Sequence, residues 1–211
     1  MIRIVLADDH PLFLDGLAQL LRTAGDFDVL ALASDGAQAV AAALEHRPDI
    51  LVIDLRMPGL DGLAVVRELS ARGLPTRFVL LTASLGDAEL IDALRLGVAG
   101  TLVKDMPPRL MLECMRKVHA GEQWVEKEAV QSALQSAMRR EAGMRDASSV
   151  LTAREIDLVR MVAEGLRNRE IGERLRITEG TVKTHLSNIY KKLKIETRVA
   201  VRRYAEEKGL I

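Results

Sequence analysis

The chain has 211 residues, a formal net charge of zero, 48% apolar residues and one cysteine. That is enough apolar material for one large core or two small ones. A single cysteine excludes an internal disulfide, and no apolar run approaches the length of about 18 residues that a membrane-spanning helix needs. The balanced total hides an asymmetry. Val150–Ile211 carries 14 Lys and Arg against 9 Asp and Glu, leaving 16 against 21 for the first 149 residues. An acidic front and a basic back predict two domains with different partners, the basic one a candidate for nucleic acid. Met1–Val5 looks like a strand and lacks the apolar core and cleavage site of a signal peptide, so a soluble cytoplasmic protein is expected.

Arg3–Ala7 is an apolar strand ending in Asp8-Asp9. Pro11 suits a helix start, with Leu12, Leu17, Leu20 and Leu21 as its apolar face. Phe27–Ala33 is a second strand, and Asp35-Gly36 opens an alanine-rich helix to about His46. Ile50-Leu51-Val52-Ile53 is an unbroken apolar run, three of its residues β-branched, as in a strand buried on both faces. It ends on Asp54, and Met57-Pro58-Gly59 forces a turn. Asp61 is positioned to cap the next helix, with Leu63, Val65, Val66 and Leu69 inward. A fourth strand, Phe78–Leu81, ends at Thr82. Asp87–Leu96 is a helix with Leu90, Ile91 and Leu94 on one face. Gly100–Val103 is a short strand ending at Lys104, and a fifth helix starts at Pro107 or Pro108 and ends near Gly121. Cys114 falls on that helix, as a small buried apolar residue.

Five strands alternating with five helices predict a flavodoxin-like, doubly wound α/β domain with a five-stranded parallel sheet in the order 2-1-3-4-5. The first and third strands then lie side by side at the topological switch point. Asp8, Asp9 and Asp54 converge there, with Thr82 and Lys104 at neighbouring strand ends. Asp54 as a plain helix cap is the blander reading, but five polar residues all falling at carboxyl ends of strands favour a site. Three clustered carboxylates need a cation, and all-oxygen ligation suits Mg²⁺. A carboxylate can attack phosphorus to give an acyl phosphate, with an ammonium and a hydroxyl holding the phosphoryl oxygens.

Gly121–Ser149 changes character. Trp124 is expected at the domain edge. Lys127–Arg140 has helical composition, with Val130, Leu134, Ala137 and Met138 at helical spacing, whereas 141–149 is small and polar and suggests a flexible linker. Leu151-Thr152-x-x-Glu155 then forms a capping box, with Ile156, Val159 and Val162 on the inner face of the helix it opens. A short helix, Arg169–Leu175, and a tight turn lead to Thr178, which can cap a helix from Glu179 to about Leu193. A final helix runs from about Arg198 to Lys208. Val182, Leu186, Ile189 and Leu193 repeat at 4-3-4 spacing and define a buried face. Lys183, Thr184, Ser187, Asn188 and Lys191 fall largely opposite, with no acid between Thr181 and Ile195. Such a face enters a major groove without repulsion from phosphates, and a short helix, a turn and a longer polar-faced helix are the parts of a helix-turn-helix.

Two resemblances add to this. Asp8-Asp9, Asp54 with Met57-Pro58-Gly59 and Gly62, Leu81-Thr82-Ala83, and Lys104 after Gly97-x-x-Gly100 resemble the receiver domain of bacterial two-component response regulators. The resemblance implies Asp54 as phosphoacceptor. It implies Mg²⁺ held by Asp9, Asp54 and the Arg56 backbone carbonyl, with Asp8 assisting through water. Thr82 and Lys104 would contact the phosphoryl group, supplied by a sensor histidine kinase. Thr101 departs from the pattern, since many receivers carry an aromatic residue there. Leu151-Thr152-x-x-Glu155, Glu164-Gly165, Asn168-x-Glu170-Ile171 and Thr181-Val182-Lys183-Thr184-His185-x-x-Asn188-Ile189-x-x-Lys192-Leu193 resemble the LuxR-type helix-turn-helix. This implies Lys183, Thr184 and Ser187 at base edges of double-stranded DNA, and Lys191, Lys192 and Lys194 at phosphates. Thr178 and Thr181 would add phosphate contacts, and the last helix a homodimer contact on DNA.

The combination resembles the NarL/FixJ-type response regulators. Expected boundaries are 1–121 for the receiver, 122–147 for a linker with a short helix, and 148–211 for the DNA-binding domain. The implied function is a phosphorylation-dependent transcription regulator that is not an enzyme and has no membrane partner. The alternatives are a regulator whose receiver serves only for dimerisation, and an aspartyl-phosphate phosphohydrolase. The latter usually carries a second acid two residues after its nucleophile, where Asp8 is followed by His10.

Overall fold

The computed structural model describes residues 1–84 and 86–211. It divides into two compact units, Met1–Ala133 and Leu134–Ile211. Among the described residues no helix is long and apolar enough to cross a membrane.

The first unit alternates β1 (Ile2–Ala7), α1 (Pro11–Ala24), β2 (Phe27–Ala33), α2 (Gly36–His46), β3 (Ile50–Asp54), α3 (Gly62–Ala71), β4 (Arg77–Thr82), α4 (Asp87–Arg95), β5 (Gly100–Val103) and α5 (Pro108–His119). The strands pair in parallel in the order β2-β1-β3-β4-β5, as the alternation and right-handed crossovers require. Period two sends Ile4 and Leu6 of β1 to one face, into a core with Leu17 and Leu21 of α1 and Met115 of α5. Val5 and Ala7 go to the other, with Val66 and Leu69 of α3 and Ala93 of α4. With both faces covered, every residue of β3 is buried, which is why its sequence shows no polar alternation. Asp35 and Asp61 cap α2 and α3, accepting from the N–H groups of Gln38 and Ala64 at 2.8 and 2.7 Å.

Two helix faces differ from expectation. Leu12 is 91% exposed, and the inner face of α1 is Leu14, Leu17, Ala18 and Leu21. Those four follow i, i+3, i+4, i+7, and Leu12, two residues before Leu14, points to the opposite side. On α4 the buried pair is Leu90 and Ala93, with Ile91 and Leu94 only half-buried. Cys114 is buried as expected, and burial pushes its thiol up to about 12. Trp124 extends the sheet edge through one bridge. Its N–H donates to the Ala99 carbonyl, and its own carbonyl accepts from the Thr101 N–H, both at 2.9 Å.

The second unit holds most of α6 (Lys127–Val150), then α7 (Ala153–Ala163), α8 (Asn168–Leu175), α9 (Glu179–Leu193) and α10 (Arg198–Glu207). The Thr152–Glu155 capping box opens α7, and Thr178 caps α9 at the Thr181 N–H, 3.1 Å away. Residues 141–149 are helical, not a flexible linker. Small residues there serve close packing: Ala147 is fully buried against the core of α7, α9 and α10. A Cβ on Gly143 would lie 2.1 Å from the Lys208 carbonyl oxygen at the end of α10. Glu141–Arg145 and Asp146–Lys208 ion pairs line the same stretch.

Gly143→Ala discriminates between packing and propensity. Alanine favours an isolated helix by about 1 kcal/mol, whereas overpacking against α10 costs about 1–3 kcal/mol. The expected outcome is a lower melting temperature by circular dichroism; a neutral or stabilising effect would restore the flexible linker.

Candidate functional site: an acidic pocket and a basic helix

The sheet register brings the polar strand ends level. Ala7 lies opposite Ile53, Asp54 opposite Leu81, and Thr82 opposite Val103. Backbone bonds continue past the strands, from Asp8 N–H to the Ala33 carbonyl, Leu55 N–H to Leu81 and Lys104 N–H to Thr82. Gly62 sets Asp54 from the other side: a Cβ there would stand 2.4 Å from the Asp54 carbonyl oxygen, so only glycine lets α3 start this close.

Asp8 and Asp54 are buried, at 2% and 3% exposure. The Lys104 ammonium lies between them, 2.8 Å from Asp8 Oδ2 and 3.1 Å from Asp54 Oδ2. Burial is the largest influence on Asp54 and raises its pKa; Lys104 pulls it down and Asp8 pushes it up again, and the balance stands above the ordinary carboxylate value. For Lys104, burial works against the charge, but its hydrogen bonds to Asp8 and Asp54 outweigh it and hold the pKa above the usual lysine value. Asp9 joins from the next position, and one donor atom each of Asp8, Asp9, His10 and Asp54 falls within 4.8 Å of all the others. Asp8 Oδ2 and Asp9 Oδ1 are buried and accept no aligned hydrogen bond, although Lys104 Nζ and His10 Nδ1 each stand 2.8 Å away. Carboxylate oxygens with such spare acceptor capacity fit a divalent cation.

An open cavity of about 570 Å³ adjoins this cluster, lined by Asp9, Arg56, Met57, Pro58, Asp61 and Glu89 among others. The Arg56 side chain is exposed at its rim, its guanidinium 3.5 Å from Glu89. Thr82 ends β4 as expected, but its hydroxyl is turned to its own loop, donating to the Ser84 carbonyl at 2.6 Å. Thr101 lines a second cavity of about 450 Å³ with Val103, Met106 and Trp124. His10 entered the sequence reading only as the absence of an acid. Its place directly after Asp8-Asp9 was the signal that it belongs to the cluster.

In the second unit α8, a turn and α9 form a helix-turn-helix. Val182, Leu186 and Ile189 are buried, and Lys183, Thr184, Ser187, Lys191, Lys192 and Lys194 are exposed on α9 and its C-terminal end. Thr178 is exposed at the N-terminus of α9 and Thr181 is half-buried, their hydroxyls 2.8 Å apart. Lys183 rests 2.9 Å from Glu179, an exposed i, i+4 pair whose release costs little. Lys192 differs. Its ammonium donates to the buried Glu155 Oε2 at 2.7 Å and ties α9 to the capping box of α7.

A parallel receiver sheet with an acidic pocket, followed by a helix-turn-helix, defines a response regulator with a DNA-binding output domain. Residues 4–116 match the response regulator receiver domain, and residues 149–205 match the bacterial regulatory proteins of the luxR family. The chain is 38% identical to the nitrate/nitrite response regulator NarL of Escherichia coli K12 over 93% of its length and 91% of that protein's. It is 33% identical to the transcriptional regulatory protein LiaR of Bacillus subtilis over the whole of both. The crystal structure of the response regulator ChrA of a heme-sensing two-component system matches with a TM-score of 0.55 at 33% identity, covering all of this chain and 98% of that one. The chain belongs to the NarL/FixJ-type two-component response regulators, a family of DNA-binding transcription regulators.

Glu155 makes the helix-turn-helix unit acid-sensitive. Burial tends to raise its pKa, but bonds from Lys192 and Thr152 bring it below the ordinary glutamate value. A lowered carboxylate contributes stability above its unfolded value, which is lost as pH falls through the folded one. Glu155→Gln is expected to lower stability by about 1 kcal/mol at pH 7, with the gap closing in denaturant titrations below pH 4.5.

Proposed function

We propose that this response regulator accepts a phosphoryl group on Asp54 from a phosphohistidine of a sensor histidine kinase, and that this controls DNA binding by its helix-turn-helix. The observation that carries the reading is the buried Asp8–Lys104–Asp54 bridge at the switch point of the sheet. A receiver kept only for dimerisation needs no such array.

In the transfer, an Asp54 oxygen attacks phosphorus, the phosphorus–nitrogen bond breaks, and the donor imidazole leaves with the electron pair. Asp9, Asp54 and the Arg56 backbone carbonyl would hold Mg²⁺, with Asp8 acting through water. Bound there, the ion supplies charge neutralisation for the phosphoryl oxygens. Lys104, 18% exposed at its side chain, neutralises the same developing charge from the protein side. For Thr82 to contact the phosphoryl group its hydroxyl must leave the Ser84 carbonyl, so phosphorylation is coupled to the loop after β4. Thr101 supplies no ring to follow that movement.

On DNA, Lys183, Thr184 and Ser187 face base edges, and Lys191 and Lys194 serve phosphates with Thr178 and Thr181. Lys192 serves the same backbone while anchored to Glu155, so its position is fixed by the fold. Val199, 78% exposed on α10, suits a homodimer contact across two half-sites. The protein works in the cytoplasm, where kinase and DNA are both accessible.

The test is operator selection from genomic fragments, with and without a small phosphodonor and Mg²⁺. Wild type should bind more tightly, or with altered selectivity, once the donor is present, and Asp54→Asn should not respond. Lys183→Ala should retain phosphate uptake and lose roughly tenfold in affinity, as expected for one lost base-edge contact. Equal binding by all samples would remove Asp54 as the switch.

A further inference from the structure

His10 occupies the N-cap position of α1, yet its side chain makes no capping hydrogen bond. The ring is directed at the acidic pocket instead, with Nδ1 2.8 Å from Asp9 Oδ1 and 3.1 Å from Asp8 Oδ1. Its backbone N–H also donates to Asp8 Oδ1 at 2.9 Å, so the residue is tied to the pocket at two points. The buried Asp8 Oδ2 and the buried Asp9 Oδ1 lack aligned hydrogen bonds. Three carboxylates and one imidazole thus offer four donor atoms within 4.8 Å of one another. An octahedral ion with bonds of about 2.1 Å places its ligands about 3.0–4.2 Å apart, so a small contraction brings Asp9, Asp54 and His10 to one ion, with Asp8 reached through water.

The donor chemistry of that set is mixed. Oxygen donors alone suit Mg²⁺, whereas an imidazole nitrogen adds little for so hard an ion. Nitrogen favours the first-row transition ions, whose affinity for such ligands rises from Mn²⁺ towards Cu²⁺.

We infer that His10 is a fourth, nitrogen ligand of the divalent-cation site, and that it shifts the pocket's preference from Mg²⁺ towards Mn²⁺ and later first-row ions. The inference rests on the acidic pocket holding a divalent cation. The metal replaces the hydrogen bond between Nδ1 and Asp8 Oδ1 and the close approach of Nδ1 to Asp9 Oδ1. The ring is 68% exposed, so it can reorient to ligate without disturbing the core. The identity of the bound ion then depends on a residue that takes no part in phosphoryl transfer.

The experiment uses the full chain with Mn²⁺ and Mg²⁺ as probes. Binding is measured calorimetrically for wild type, His10→Ala, His10→Gln and Asp9→Asn. Electron spin-echo envelope modulation of the Mn²⁺ complex reports directly on nitrogen coordination. Wild type should show nitrogen modulation that is absent in His10→Ala and His10→Gln. Its preference for Mn²⁺ over Mg²⁺ should fall by about tenfold or more in both variants. Mn²⁺ binding abolished by Asp9→Asn but free of nitrogen modulation in wild type would overturn the role of His10 and leave the oxygen site standing. Failure of either ion to bind in an Asp9-dependent way would overturn the cation site itself, and this inference with it.

Discussion

The Lys104 ammonium joins the ends of three strands, reaching from β5 to Asp8 beyond β1 and to Asp54 at the end of β3. Two buried carboxylates side by side repel, and each is costly to desolvate. The lysine makes their coexistence possible, and they in turn hold the lysine charged in a largely buried position. The array is stable because its three members sit at the ends of β1, β3 and β5 of one parallel sheet, with β4 between the last two, where backbone pairing fixes the spacing before any side chain is considered. None of the three is easily exchanged, since removal of one leaves the others buried and uncompensated.

The backbone around this bridge is as constrained as the side chains. Asp54 is held from below by an entirely buried strand and from the side by Gly62, whose missing Cβ admits the start of α3. The motif of strand, aspartate, turn and glycine is therefore one steric unit. The output domain shows the same economy. Gly143 brings α6 against the end of α10, and Glu155 both completes the cap of α7 and holds Lys192 on α9. The second helix of the helix-turn-helix is thus positioned by a buried carboxylate on a different helix.

Periodicity sufficed for the strands, their order, both caps at Asp35 and Asp61, and the buried face of α9, because each rests on local pattern or on a general rule of chirality. Pairings across the fold were beyond it. Leu12 counts as apolar in any window, and only the phase of α1 on the sheet sends it outward. The stretch 141–149 has the composition of a linker, and its Gly143 and Ala147 became packing residues only when the helices of the second unit lay against them. At the site, Asp8, Asp9, Asp54 and Lys104 were legible from their strand-end positions. The turn of Thr82 towards Ser84, the engagement of Lys192 by Glu155 and the entry of His10 into the cluster depend on side-chain rotamers, which periodicity does not specify.

Trp124 is the only tryptophan in the chain, and it is hydrogen-bonded along the edge of β5, with the Lys117 ammonium 5.0 Å from its ring centre. The strand it flanks ends one residue before Lys104. The chain thus carries its own optical probe, an indole whose surroundings belong to the strand that delivers the bridging lysine. Emission from this protein is consequently a single-site signal, and a change in its wavelength or intensity reports on the edge of β5.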